Sequence, residues 1–259
     1  MAHKIVFFDI DGTLLDQNKR LPIGARKAIQ ELKERKIPIV IATGRAPFMF
    51  KPLLMDLGID SFISFNGQFV SCQNERIYEN PIDLEVLERL VSQSKDGDHP
   101  MVFLNEDEGR TTHDRHPHVT KSMDDLKLSY PLHDPEFYKR RPIYQALLYC
   151  EKGEKELAYR STYNDFDFIR WHRYSMDVLP KYGSKAIGIQ KMIDHLGYLK
   201  EDVVAFGDGL NDLEMLEFAG TGVAMGNGKE EAKRSADFVT KAVDDDGIRY
   251  GLKKLDLIT

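Results

Sequence analysis

Short unbroken apolar runs alternate along this chain with longer stretches whose apolar residues recur every three or four positions. KIVFF (4–8) runs straight into DID and Gly12, as a buried strand entering a loop would. From Pro22 to Lys36, Ile23, Ala25, Ala28, Ile29 and Leu32 fall at helical spacing among Lys, Arg and Glu, and Pro22 suits a first helical turn. IPIVIATGR (37–45) is a second buried strand ending in a small-residue loop, 46–57 a second helix stopped by Gly58, and 61–65 a third strand. Asn66-Gly67 then opens a hairpin over 68–79. Strands apolar on both faces, separated by helices, predict a parallel sheet covered on both sides.

The pattern breaks beyond residue 80. Seven of the eleven prolines fall between 80 and 182, together with mixed short runs such as MVFLNEDEG (101–109) and IYQALLYC (143–150) and a helical stretch at 154–164. The alternation resumes at Ser184, with a helix over 184–196, the strand DVVAFGDG (202–209), a helix at 210–218 and TGVAMGN (221–227). A further helix, the short strand DFVT (237–240) and a closing helix at 244–256 follow. The predicted fold is α/β. A doubly wound, Rossmann-like parallel sheet core (1–82 and 183–259) is interrupted by an inserted α+β cap domain (83–182).

Composition narrows the function more than the fold. A net charge of −6 argues against non-specific nucleic-acid binding, which needs a basic surface, so no nucleic acid is expected as a partner. The same balance gives an anionic substrate little help from global steering, so local cations would be required. No apolar run approaches the ~20 residues of a membrane helix, and the N-terminus reaches its acids too soon for a signal peptide. Cys72 and Cys150 lie far apart without CxxC spacing and read as reduced packing residues. A cytoplasmic protein with no membrane partner is the expectation.

Acids gather where two of the predicted strands end. Asp9 and Asp11, two apart in extended chain, face one side, and Gly12 permits a tight turn that Thr13 can tie. Asp208, Asn211 and Asp212 follow the later strand. Carboxylates brought together at the carboxyl ends of a parallel sheet repel unless a cation lies among them, and an oxygen-lined site of this kind suits Mg²⁺. The bland alternatives are an Asp-Gly surface turn for the first cluster and a helix cap for Asp212. Thr43 and Gly44 offer a phosphate cradle or an ordinary helix cap, and Arg45 a phosphate contact or a solvent face. Lys185 opens a helix against the macrodipole preference for acids, a local misfit of the kind found at sites.

DIDGT, ATGR, SKAIGI and GDGLND, in that order, resemble the four motifs of the haloacid dehalogenase superfamily of phosphotransferases. The large insertion between the second and third, with GDGLND as the fourth, is similar to the Cof-type phosphatases. The resemblance implies a Mg²⁺-dependent phosphatase acting on a small-molecule phosphate ester such as a sugar phosphate, a phosphorylated cofactor or a nucleotide. Asp9 would be the nucleophile, forming an aspartyl-phosphate, and Asp11 the general acid and base. Asp9, the Asp11 backbone carbonyl and Asp208 would hold the metal, supported by Asp212. Thr43, Gly44, Lys185, Asn211 and the Ile10 amide would bind the phosphoryl group.

The cap would cover the site and contact the non-phosphate part of the substrate. Within it HDRHPH (113–118) reads as a polar loop, because Pro117 disrupts helical pairing of the histidines, and WHRY (171–174) as a strand alternating buried Trp171 with exposed His172. A phosphomutase would use the same site but pass the phosphoryl group to a sugar. A non-catalytic sensor would normally have lost Asp9 or Asp11, and both are present.

Overall fold

The computed structural model describes residues 3–126 and 128–259, which divide into two compact units. The first comprises Met1–Arg45, Met49–Glu79 and Ser184–Thr259, and the second Ala46–Phe48 with Asn80–Gly183.

The first unit begins with β1 (Ile5–Phe8), α1 (Ile23–Glu34), β2 (Ile39–Ala42), α2 (Pro47–Leu57) from Met49 onward, β3 (Phe62–Ser64) and the hairpin β4 (Phe69–Cys72) and β5 (Glu75–Glu79). In the second unit follow α3 (Leu84–Asp96), β6 (Met101–Leu104), β7 (Gly109–Thr111), α4 (Pro117–Asp125), β8 (Leu132–His133), β9 (Gln145–Tyr149), α5 (Glu154–Thr162), β10 (Phe166–Arg170) and β11 (Ser175–Pro180). The chain then returns to the first unit with α6 (Lys185–Leu196), β12 (Val203–Gly207), α7 (Leu213–Phe218), β13 (Thr221–Ala224), α8 (Glu230–Ser235), β14 (Phe238–Val239) and α9 (Gly247–Lys254).

In the first unit the sheet order is β14-β13-β12-β1-β2-β3-β4-β5, parallel from β14 to β3 and antiparallel across the hairpin. All four residues of β1 are buried because both faces are covered. Val6 and Phe8 point, with Ile41 and Phe206, toward Ala28, Ile29 and Leu32 of α1 and Ile248 and Leu252 of α9. Ile5 and Phe7 point the other way, toward Ile189, Met192 and Ile193 of α6 and Met215 of α7. This two-sided burial, worth about 1.5–3 kcal/mol for each large apolar side chain, explains why these strands read as unbroken apolar runs. Ser184 caps α6 by accepting from the Ile187 amide at 3.4 Å, and Gly197, at φ 74°, ends it.

The second unit is a six-stranded sheet of order β10-β11-β9-β6-β7-β8 with α3 and α5 packed on one face through Leu87, Leu90, Phe103, Leu148, Tyr159 and Val178. Two sequence expectations fail here. Residues 113–116 are loop as expected, but the loop does not extend to 118, because Pro117 starts α4, its missing N–H costing nothing at the first helical position. The segment 171–174 is the turn between β10 and β11, not a strand, and His172 is partly buried like Trp171. Cys72 and Cys150 are free and buried.

Candidate active site

β1 and β12 are hydrogen-bonded neighbours, so the residues that follow them emerge side by side at one edge of the sheet. Asp9 continues β1, its amide donating to the Phe206 carbonyl at 3.0 Å, and Asp208 directly follows β12. Between the two loops there is no room for a side chain at position 12. A Cβ on Gly12 would lie 2.3 Å from Asp208 Oδ2, and its φ of 83° is unfavourable for other residues. Thr13 Oγ1 donates to Asp208 Oδ1 at 3.1 Å, tying the loops together.

Lys185, the first residue of α6, is fully buried at the centre of this arrangement. Its Nζ donates to Asp9 Oδ1 at 2.5 Å and Asp212 Oδ1 at 2.6 Å. The misfit of a lysine at a helix N-terminus is thus the cost of an ion-pair hub. Asp212 does not cap α7. Its Oδ2 accepts from the Asp208 and Gly209 amides at 2.9 and 2.8 Å, which fixes the acidic loop beside β12.

Asp9, Asp208 and Asp212 each offer an oxygen within 4.8 Å of the others. Lys185 bonds two of these three acids, and the shortage of positive charge shows in the protonation of Asp9 and Asp208. Burial pushes Asp9 up to about 8 against the opposing pull of Lys185, with Asp212 and Asp208 adding to the rise. Burial and the Asp212 charge push Asp208 up to about 6. Lys185 is held above the usual lysine range because its two carboxylates outweigh its burial. A divalent cation among hard carboxylate oxygens would reverse the carboxylate shifts, so the donor set fits an oxygen-preferring ion of the Mg²⁺ type. Among the described residues no other cluster of His, Cys, Asp or Glu has this character.

Asp11 stands apart from that trio. Arg45 grips its carboxylate with two bonds, Nε to Oδ2 at 2.7 Å and Nη2 to Oδ1 at 2.5 Å, and Lys19 Nζ adds a third at 2.5 Å. Although burial opposes it, the Arg45 and Lys19 bonds hold Asp11 below the usual carboxylate range. Arg45 therefore faces neither solvent nor an empty cradle. Thr43 is buried, its Oγ1 accepting from the Arg45 amide at 3.2 Å, and Gly44 packs against the Asn66 side chain. Asn211 Nδ2 reaches Asn66 Oδ1 at 3.0 Å, so Asn66 joins the loop after β2 to the loop after β12. The Ile10 side chain lies in the core, and its carbonyl accepts from the Leu15 amide.

Sequence reasoning missed Lys19 and Asn66. The Asn66-Gly67 pair was visible only as a turn, and Asn66 does adopt a left-handed φ of 53°. Lys19 carried no signal beyond being a cation near the acids.

Comparison with known proteins supplies the chemistry this geometry belongs to. Residues 6–252 match the family model described as haloacid dehalogenase-like hydrolase. YkrA of Bacillus subtilis (strain 168), whose name carries phosphatase as a provisional assignment, is 50% identical over the full length of both chains. The 5-amino-6-(5-phospho-D-ribitylamino)uracil phosphatase YitU of the same organism is 31% identical over 96% of each chain. The solved structure of BT4131, a sugar phosphatase of haloacid dehalogenase subclass IIB, superposes with a TM-score of 0.84 at 30% identity over 98% of this chain and 100% of that one. The α/β core, the acid trio around a buried lysine and these matches agree: the chain belongs to the haloacid dehalogenase-like hydrolases, in their Cof-type branch, and is a phosphoric monoester hydrolase.

Proposed function

We propose that this phosphatase hydrolyses small phosphorylated metabolites through an aspartyl-phosphate on Asp9, with Mg²⁺ as its metal. The observation that carries the reading is Lys185 Nζ bridging Asp9 and Asp212, with Asp208 in the same carboxylate trio. Two relatives are named for a phosphoribitylamino-uracil and for sugar phosphates, so a hydroxylated organic group on the ester is the class to test first.

Asp9, Asp208 and the Asp11 carbonyl would hold the cation, steadied by Asp212, and when bound it neutralises charge on the phosphoryl oxygens. Lys185 adds a fixed positive charge at the attacking carboxylate and orients one of its oxygens, and together with the bound cation it would bring Asp9 to its ionised form. Asp9 then attacks phosphorus, forming the new P–O bond as the ester P–O bond breaks. Asp11 gives its proton to the departing oxygen, then takes one from the water that cleaves the aspartyl-phosphate. Thr43, Gly44, Asn211 and the Ile10 amide line the phosphoryl position. Bound by Arg45 and Lys19, Asp11 is ionised, so it must lose a partner before it can carry a proton. An arriving dianionic phosphoryl group competes for the Arg45 guanidinium and would release that carboxylate.

The test is phosphate release from a panel of sugar, nucleotide and cofactor phosphates by protein stripped with chelator, with and without added Mg²⁺. Metal-dependent release is expected. Release that is equal without any divalent ion would overturn the metal assignment, and no release from any ester would overturn the substrate class.

A further inference from the structure

Three histidines of the second unit, His113, His116 and His118, form a chain of rings to which the proposed phosphatase chemistry assigns no role. His113 and His116 have ring centroids 5.8 Å apart, His116 and His118 4.9 Å, and His118 stacks on Tyr174 at 4.2 Å. They are not assembled as metal ligands, because among the described residues the only such cluster is the carboxylate trio. One of them does specific work. His116 is the N-cap of α4, and its Nδ1 accepts from the His118 amide at 3.2 Å. Pro117 has no N–H to satisfy, and the Thr120 amide already donates to the His116 carbonyl at 3.0 Å. His118 therefore carries one of only two remaining early amides, and an imidazole nitrogen is its acceptor.

That acceptor exists only while the ring is neutral. On protonation both ring nitrogens become donors, so Nδ1–H would oppose the His118 N–H. The same proton places a positive charge at the positive end of the helix dipole. Both effects act in one direction. We propose that His116 is a proton-operated cap, which secures the first turn of α4 when neutral and frees it when charged.

The surroundings set where this happens. His113 precedes the cap, His118 follows it, and His99 and Asp98 approach from the turn after α3. Tyr130 donates from its hydroxyl to the His113 carbonyl, and Tyr174 covers His118. Asp98 favours the charged ring, but burial, followed by the two neighbouring histidines, outweighs it and holds His116 below its ordinary 6.5. The unfolded turn therefore binds a proton more readily than the folded one. The cap is complete above about pH 6.5 and is lost as pH falls through the lower folded value. Further along α4, Val119, Ser122 and Met123 are buried and Ser122 Oγ donates to Tyr149 Oη at 3.1 Å, so the release is confined to the first turn.

The test is amide hydrogen exchange at His118, corrected for intrinsic rate, from about pH 8 to about pH 5.5, in wild type and His116→Asn. Asn caps as well as any residue and does not titrate in this range. Wild-type protection should fall roughly fivefold to tenfold, the size of a lost cap, while H116N stays flat. The imidazole titration of His116, followed by NMR in the wild type, should share its midpoint with the protection loss whether or not the variant folds. An equal acid loss in H116N, a flat wild-type profile, or midpoints that differ would each overturn the proposal.

Discussion

Two buried acidic centres, one in each unit, meet opposite fates. In the second unit Glu156 sits between two guanidiniums, Arg160 Nε on Oε1 and Arg170 Nε on Oε2, each at 2.9 Å. Burial alone would raise its pKa, but the arginines win and hold it below the usual glutamate range. In the first unit Lys185 bonds two of three carboxylates, and burial wins at Asp9. The Glu156 cluster is complete within the fold, whereas the Asp9 cluster is short of positive charge. A fold carries such a deficit where something from outside is to fill it. A raised acid is not enough by itself. Asp177 is pushed up to about 7 by burial, partly offset by the neighbouring Gln145 and Trp171 side chains, yet no second carboxylate joins it in a metal-binding group among the described residues.

The contrast can be broken in several places. Asp9→Asn removes the proposed nucleophile, and kcat should fall by at least roughly 10³-fold in steady-state phosphate release with the fold intact by circular dichroism. Lys185→Met leaves Asp9 and Asp212 buried without their cation, so unfolding in denaturant without metal should lose about 3–5 kcal/mol. Mg²⁺ should restore part of that loss, because binding to the native state alone adds stability by mass action. Glu156→Gln should cost about 1–3 kcal/mol near neutral pH, a smaller figure because Arg160 is partly exposed, and Mg²⁺ should restore none of it. If Mg²⁺ rescued both variants alike, the distinction between the centres would fail.

Acid sharpens the same point. Glu156 has a depressed folded pKa, so its contribution is full above the ordinary 4.5 and disappears as pH falls through the folded value. The stability gap between wild type and E156Q should close over that window. The smallest effect belongs to Asp177, whose raised folded pKa makes its charge a growing liability between the ordinary 3.8 and about 7. Asp177→Asn should therefore stabilise the protein by about 1–2 kcal/mol near pH 8 and by progressively less toward pH 4, a partly accessible acid being worth less than its shift suggests. Thermal melts across pH would read both.

What the sequence disclosed follows from where apolar periodicity is strong. β1, β2 and β12 are covered on both faces, so their runs were unmistakable, and each delivered its site residues at a predictable end. Lys185 was legible because it violated a helix-end preference. Lys19 and Asn66 were not, since both enter the site from left-handed positions in loops, at φ 61° and 53°, which no periodicity encodes. Arg45 was ambiguous for a related reason. Its target, Asp11, lies 34 residues away in another loop, and only the parallel pairing of β1 with β2 brings the two together. Pro117 misled because the same residue that breaks a helix interior favours a helix start.

The most direct measurement is mass-spectrometric mapping of acid-quenched protein after brief mixing with a turning-over phosphate ester and Mg²⁺. An acyl phosphate on Asp9 during turnover, absent in Asp9→Asn, is the expected result. Release of phosphate with Asp9 never modified, or a phosphoryl group recovered on a different side chain, would contradict the account.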